Sequence, residues 1–395
     1  MENRRSKRNP AAKPNSKDRI SDLPEVIIQR ILSSLEDTKF AARTSVLSKR
    51  WKNLWTSVSD LRFNTLYYSS PRSFEKFLLY ALLRHHQNYE VRSLDLSIHY
   101  DDGHDTEQAS SSDFDEVGLR DWALKYAIRH GVRFVSLRHR DDCRQFSAPL
   151  SALSGCGTLE TLTLANFDIS GLSSACFPFV TSLRIEDCDF RCFDVTESNF
   201  PNLSTFYLSG LGFNGAYDDS IGSVIEISGS KLVYLKIEGI DCDMVKLKLS
   251  APNLQVLEYR ESSGDGDFGW LCHFLDINLP SLQRANVLVY HGHYYQTDKL
   301  EEMLMKFFFG VRNAVSLTVC ASSLEDLMEA GLLEHKTSPF SNLKSLKLLV
   351  EKEKRIGKNR GSPGAVEEIK SYLVSGTPLL QNVHVVIEER YWWEV

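Results

Sequence analysis

One arrangement of apolar positions returns eleven times along the chain. Written φ-x-x-φ-x-φ, with φ apolar, it begins at Val91 (VRSLDL), Val132 (VRFVSL), Leu159 (LETLTL), Val180 (VTSLRI), Leu203 (LSTFYL), Leu232 (LVYLKI), Leu254 (LQVLEY), Leu282 (LQRANV), Ala314 (AVSLTV), Leu343 (LKSLKL) and Leu380 (LQNVHV). The starts lie 21 to 41 residues apart. Alternation of φ and x is the period of a strand with one buried face. Recurrence at this spacing marks a repeat array, in which each unit buries its apolar face on its neighbours because it cannot do so alone. The pattern therefore predicts one short parallel strand per unit, stacked into a solenoid. Proline stands shortly before five units, in FPFV, FPNL, APNL, LPSL and TPLL. A regular array of this kind carries Asn or Cys at the ninth position, and here only Cys188 does.

The intervals between units predict what covers the strands. LRDWALKYAIRHG places Leu119, Trp122, Tyr126 and His130 on one helical face and ends at Gly131. DKLEEMLMKFFFG repeats that plan, with Phe307, Phe308 and Phe309 as helix-end core, and AVEEIKSYLVSG gives a last helix. These helices are expected on the outer, convex side. DDGHDTEQASSSDFDEVG reads as an acidic, serine-rich loop and Lys352 to Gly364 as a charged one.

The first ninety residues differ. Residues 1–17 are polar and basic, the composition of a disordered tail, and Arg4 to Arg8 suit either a nuclear-import signal or a solvated tail. From Asp18 the pattern becomes helical. Asp22 and Glu25 have capping-box spacing, followed by two adjacent apolar rows, Ile27-Ile31-Leu35 and Ile28-Leu32. A second short helix is expected over Phe40–Val46. A third, capped by Ser48, would carry Leu47, Trp51, Leu54 and Trp55 on one face. Three short helices make a very small core, and the two tryptophans cannot cover both rows.

Composition narrows the function. The chain has 395 residues, a net charge of −6 and eight cysteines without a CxxC pair. The net charge argues against general nucleic-acid binding, which relies on clustered positive charge, and the cysteines are expected as reduced, packed thiols. With no signal-like start and no apolar run of about 18 residues, the expectation is a cytosolic or nuclear protein with neither membrane nor nucleic acid as partner. No phosphate loop, nucleophile elbow, zinc helix or glycine fingerprint is present. Cys188 and Cys192, flanked by Asp187 and Asp189, lack a second pair at ligand spacing. His291 and His293 lack a third ligand, and SGDGDFG lacks calcium-loop spacing. No catalytic residue, metal or cofactor is expected.

DRISDLPEVIIQRILSSL followed by ARTSVLSKRWKNLW closely resembles the F-box of plant F-box proteins with leucine-rich repeats. The resemblance is carried by Ile20-Ser21-x-Leu23-Pro24-Glu25, by Ile31-Leu32-Ser33, and by Thr44-Ser45-Val46-Leu47-Ser48-Lys49-Arg50-Trp51 with Leu54-Trp55. The stretch from about Phe340, FSNLKSLKLLV to IEERYWW, is similar to the FBD module that often ends such proteins. One departure is Glu36-Asp37-Thr38, in place of a proline-containing turn. The resemblance implies an α/β chain: a basic tail (1–17), a small three-helix F-box (18–60), a helical linker (61–90), irregular leucine-rich repeats (91–339) and last, FBD-like repeats (340–395).

It also implies a role. The F-box would bind a Skp-type adaptor, and through it a cullin-RING ligase, using Leu23, Pro24, Ile27, Ile28, Ile31, Leu32, Val46, Leu47 and Trp51. Leu54 and Trp55 would pack toward the linker and first repeat. The repeats would capture an unidentified protein substrate on their concave face, through the middle residue of each φ-x-φ: Thr163, Arg184, Tyr207, Lys236, Glu258, Asn286, Thr318, Lys347 and His384. The alternatives are a non-ligase interaction scaffold of leucine-rich repeats and a receptor that completes its site with a small ligand.

Overall fold

The computed structural model describes residues 20, 22–85, 89–99, 116–140, 146–213, 223–240, 245–262, 273–290, 300–321, 324–325, 328, 338–351 and 363–388. Its elements run α1 (Glu25–Ser33), α2 (Thr38–Arg43), β1 (Asp60–Asn64), α3 (Pro71–Arg84), β2 (Ser93–His99), α4 (Glu116–Arg129), β3 (Phe134–Arg140), α5 (Leu150–Ser154), β4 (Thr161–Ala165), β5 (Ser182–Glu186), β6 (Asp189–Phe190), β7 (Thr205–Phe213) and β8 (Ser223–Ser228). They continue with β9 (Tyr234–Ile240), β10 (Val245–Ser250), β11 (Val256–Ser262), β12 (His273–Asn278), β13 (Arg284–Tyr290), α6 (Leu300–Gly310), β14 (Ser316–Cys320), β15 (Ser345–Glu351), α7 (Pro363–Ser375) and β16 (Asn382–Glu388).

Each of the eleven repeat units forms a strand, and all eleven lie in one parallel sheet in chain order, from β2 to β16. From β2 to β15 the two apolar positions of φ-x-φ face the core: Leu94 and Leu96, Leu162 and Leu164, Leu183 and Ile185, and Leu346 and Leu348 are all buried, while on the last strand Val383 is half-buried and Val385 exposed. The prolines explain how each strand is entered. Val180, Leu203, Leu254, Leu282 and Leu380 each donate their N–H to the carbonyl three residues back (Phe177, Phe200, Ala251, Leu279 and Thr377). Proline, with φ already set, fills the second place of each of these turns. Asn202 and Asn253 stitch successive turns together, donating to the carbonyls of Pro178 at 2.6 Å and Ser230 at 2.7 Å. Cys188 is buried with its Sγ 3.6 Å from the Leu164 carbonyl of the preceding unit, and burial pushes its thiol up to about 12.

Three expectations need correction. The interval 61–90 is not simply a helical linker: β1 opens it, pairs in parallel with β2 and extends the sheet by a twelfth repeat-like strand. Helices do not cover the whole array. Opposite the middle repeats, β8, β10 and β12 form a second, three-stranded parallel sheet. VKLKLS alternates at period 2, which suits a strand and not a helix, and HFLDIN pairs with it through a register shift at Leu275. Finally, α4 buries Leu119, Ala123, Leu124 and Ala127 and leaves Trp122, Tyr126 and His130 half-buried. Small alanines let that helix approach the sheet more closely than the aromatic face would.

The N-terminal helices share the solenoid's core, which is continuous from Ile28 to Leu373. The expected Asp22–Glu25 cap does not form. Pro24, in extended backbone, precedes α1 without a side-chain cap, and a proline at that position removes an N–H that would otherwise want a partner. The third helix is a 3-10 segment, Trp51–Ser57, that starts after Ser48. The Ser48 hydroxyl is buried there with no hydrogen-bond partner among the described residues. Arg62 of β1 ties the two parts, donating to the carbonyls of Ser33 at 2.6 Å and Leu35 at 2.9 Å.

Candidate functional site

The N-terminal helices divide their apolar residues between an inner and an outer face. Ile28, Leu32 and Trp51 are 0, 2 and 2% exposed. They belong to the internal core, so the expectation that they meet a partner is corrected: no surface of theirs is left to give. Ile27 and Ile31, one position round the same helix, are each 39% exposed, and Val46 is 88% exposed. Pro24 and Leu47 are exposed and Leu23 is half-buried. Leu47 is not on the tryptophan face, because it belongs to the turn before the 3-10 segment. Trp55 is buried and stacks on Tyr80 of α3, with ring centroids 5.9 Å apart. Gln29 secures the third segment by donating to the Leu54 carbonyl at 3.0 Å.

Sequence reasoning missed Ile20 and Val26, both exposed on this unit. The signal was present: Val26, Ile27, Ile28, Ile31 and Leu32 cover more of a helix's circumference than one core can take. Contiguous exposed aliphatic side chains on a small helical unit are the mark of a protein-binding surface.

The open face of the main sheet carries the second set. Its middle row is one unbroken register across all twelve strands: Arg62, Asp95, Ser136, Thr163, Arg184, Tyr207, Lys236, Glu258, Asn286, Thr318, Lys347 and His384. The structure thus brings the nine expected residues into a single line. Thr163 is the exception in exposure, at 8%. The next row, two residues on, was not anticipated. It holds Arg138, Glu186, Glu238 and Arg260 and then turns apolar, with Leu288, Cys320, Leu349 and Val386 packed as a small cluster of their own.

The charges at the centre of this face are paired. Arg184 meets Glu186 at 2.8 Å, and Glu238 takes both Lys236 at 2.5 Å and Arg260 at 3.6 Å. Burial and the hydrogen-bonded Glu258 push the Tyr234 phenol up to about 12, so it stays a donor. Elsewhere, Cys188 is buried while Cys192 is exposed. Arg4 to Arg8, His291, His293 and residues 263–269 lie outside the described residues.

An F-box domain model matches residues 20–63. Among curated proteins of Arabidopsis thaliana, the chain is similar to an F-box/LRR-repeat protein, 30% identical over 262 residues, covering 60% of this chain and 81% of the relative. It is also similar to an FBD-associated F-box protein, 25% identical over 83% of this chain and 77% of the relative. A further F-box/LRR-repeat protein is 28% identical over 84% of this chain and 78% of that protein.

Proposed function

The chain belongs to the plant F-box/LRR-repeat proteins, and from that premise we propose that it is the substrate-recognition subunit of a Skp-cullin-F-box ubiquitin ligase, acting in the cytosol or nucleus. The observation that carries this reading is the outward aliphatic surface of Ile20, Val26, Ile27, Ile31, Val46 and Leu47, beside a core already completed by Ile28, Leu32 and Trp51. A Skp-type adaptor occupies that surface. The open face of the repeats, with its line of polar and aromatic side chains, holds the target protein. The FBD-like last repeats, from about Phe340, extend the same sheet.

In this role the chain makes and breaks no covalent bond. It raises the effective concentration of target lysines near a charged conjugating enzyme. Reconstitution tests the reading: the purified chain, a Skp-type adaptor and a cullin-RING pair should assemble into one complex in which the chain reaches the cullin only through the adaptor. A folded chain that never enters the complex overturns it and leaves an interaction scaffold as the better account.

A further inference from the structure

At the middle of the open face three neighbouring strands bring together Tyr207, Tyr234 and Val256. The two rings are 5.1 Å apart, and Val256 is the register partner of Tyr234. The Arg184 guanidinium lies 4.3 Å from the centroid of Tyr207, on its ring face. All three side chains are half-buried. This is an apolar, aromatic centre on rigid strands, the kind of position where binding energy concentrates when water is excluded.

The charges around it decide what it can receive. Arg138 stands between Asp95 at 3.9 Å and Glu186 at 4.0 Å. Arg184 is held by Glu186, and Lys236 and Arg260 share Glu238. Glu258 accepts from the Tyr234 hydroxyl. Four basic and four acidic groups therefore cancel on one surface. A phosphorylated or polyacidic segment needs two or three basic groups that converge without carboxylates between them. Here Arg138, Arg184, Lys236 and Arg260 are each already committed to a carboxylate of the same face. Arg284, beside Val256, is the one cation bordering the centre to which the described residues bring no acid, and one arginine does not make such a fork.

We propose that this face recognises an unphosphorylated segment of low net charge, which seats an aromatic or aliphatic side chain on Tyr207, Tyr234 and Val256. The proposal rests on the substrate-receptor reading above and specifies the class of target that reading leaves open. The paired charges act as a polar rim: they orient the segment through hydrogen bonds and repel nothing neutral.

The test uses the chain co-purified with a Skp-type adaptor. The probe is an array of short random-sequence peptides in matched pairs, unmodified and phosphorylated on Ser, Thr or Tyr. The expected binders are unmodified peptides with an aromatic or large aliphatic residue. Their binding changes less than about threefold between roughly 50 and 300 mM salt. It falls at least about tenfold in Tyr207→Ala/Tyr234→Ala. Val256→Asp, which leaves both rings in place, has the same effect, and adaptor binding is unchanged in both variants. Preference for phosphorylated peptides, a steep loss with salt, variants that bind like the wild type, or no peptide bound at all overturns the proposal. Adaptor co-purification in the same sample reports on the ligase reading separately, so the two fail in distinguishable ways.

Discussion

Asp37, at the start of α2, reaches across to the first strand of the solenoid, where its Oδ2 accepts the backbone N–H of Asn64 at 2.8 Å. Its other oxygen accepts the Lys39 N–H at 2.7 Å and the Tyr68 hydroxyl at 2.9 Å. The side chain is fully buried, so one residue caps a helix of the F-box and anchors the main sheet of the solenoid. Asp37→Ala leaves three donors unsatisfied in a buried site, at a cost of about 2–4 kcal/mol. Thermal unfolding should show the loss, and amide exchange should rise first in β1.

Glu261 gives the fold a pH dependence. Burial, helped by nearby Glu238 and opposed by the Ile240 N–H and the Tyr259 hydroxyl, pushes its carboxyl up to about 8 from an ordinary 4.5. The folded chain therefore keeps a proton that the unfolded chain releases above the ordinary carboxylate range. Stability falls as pH rises from about 4.5 to about 8 and is level beyond, with a slope near 1.4 kcal/mol per pH unit at most. Glu261→Gln, which cannot ionise, should melt higher than the wild type at pH 8 and lose this slope. Parallel melting curves across the window check it.

Gly310 ends α6 against β12. A Cβ at this position would lie 2.6 Å from Ile277 Cβ and 2.7 Å from its Cδ1, so Gly310→Ala should destabilise by about 1–3 kcal/mol. Ile277→Ala removes the Cδ1 contact but keeps the Cβ, so Gly310→Ala/Ile277→Ala should recover only part of that loss. A double-mutant cycle by urea denaturation measures the coupling.

Two ion pairs that look alike on paper should behave differently. Asp60 is buried, and although burial alone raises its pKa, hydrogen bonds from Arg92 (3.0 Å from Nε) and Ser93 (2.8 Å) outweigh it and hold the carboxyl below its usual range. Its contribution is present above about pH 4 and is lost as pH falls through the lowered value. Asp60→Ala should cost about 2–3 kcal/mol at neutral pH, by leaving its donors without an acceptor. Arg133–Glu160 is solvent-exposed on both sides despite its 2.8 Å geometry, and Glu160→Ala should cost less than about 1 kcal/mol.

The strands were legible because φ-x-x-φ-x-φ reports directly which side chains face the core. Even β1 carries the signal, as Val58-x-x-Leu61-x-Phe63, but the helical segment beside it masks the repeat. The second sheet was hidden by its position, since segments between repeats of this type are expected to be helical. Register, too, followed from the repeat, which is why the middle-row residues fall in one line.

The outward aliphatic surface proposed for the adaptor was only half legible. Ile27 and Ile28 are adjacent in sequence, and which of them faces outward depends on how the Trp51–Ser57 segment docks, a tertiary fact with no local pattern. The junction could not be read at all. Glu36-Asp37-Thr38 stood out only as a departure from the family's turn, and its meaning lies in partners 27 and 31 residues further on.

The central claim is that the outward aliphatic surface of the F-box binds a Skp-type adaptor. Size-exclusion co-elution of the chain with that adaptor, beside an Ile27→Asp/Val46→Asp variant, tests it most directly. The account predicts a stoichiometric complex for the wild type and none for the variant, whose melting temperature stays close to that of the wild type because both positions are exposed. A well-folded wild type that elutes alone, or a variant that still binds at full strength, contradicts it.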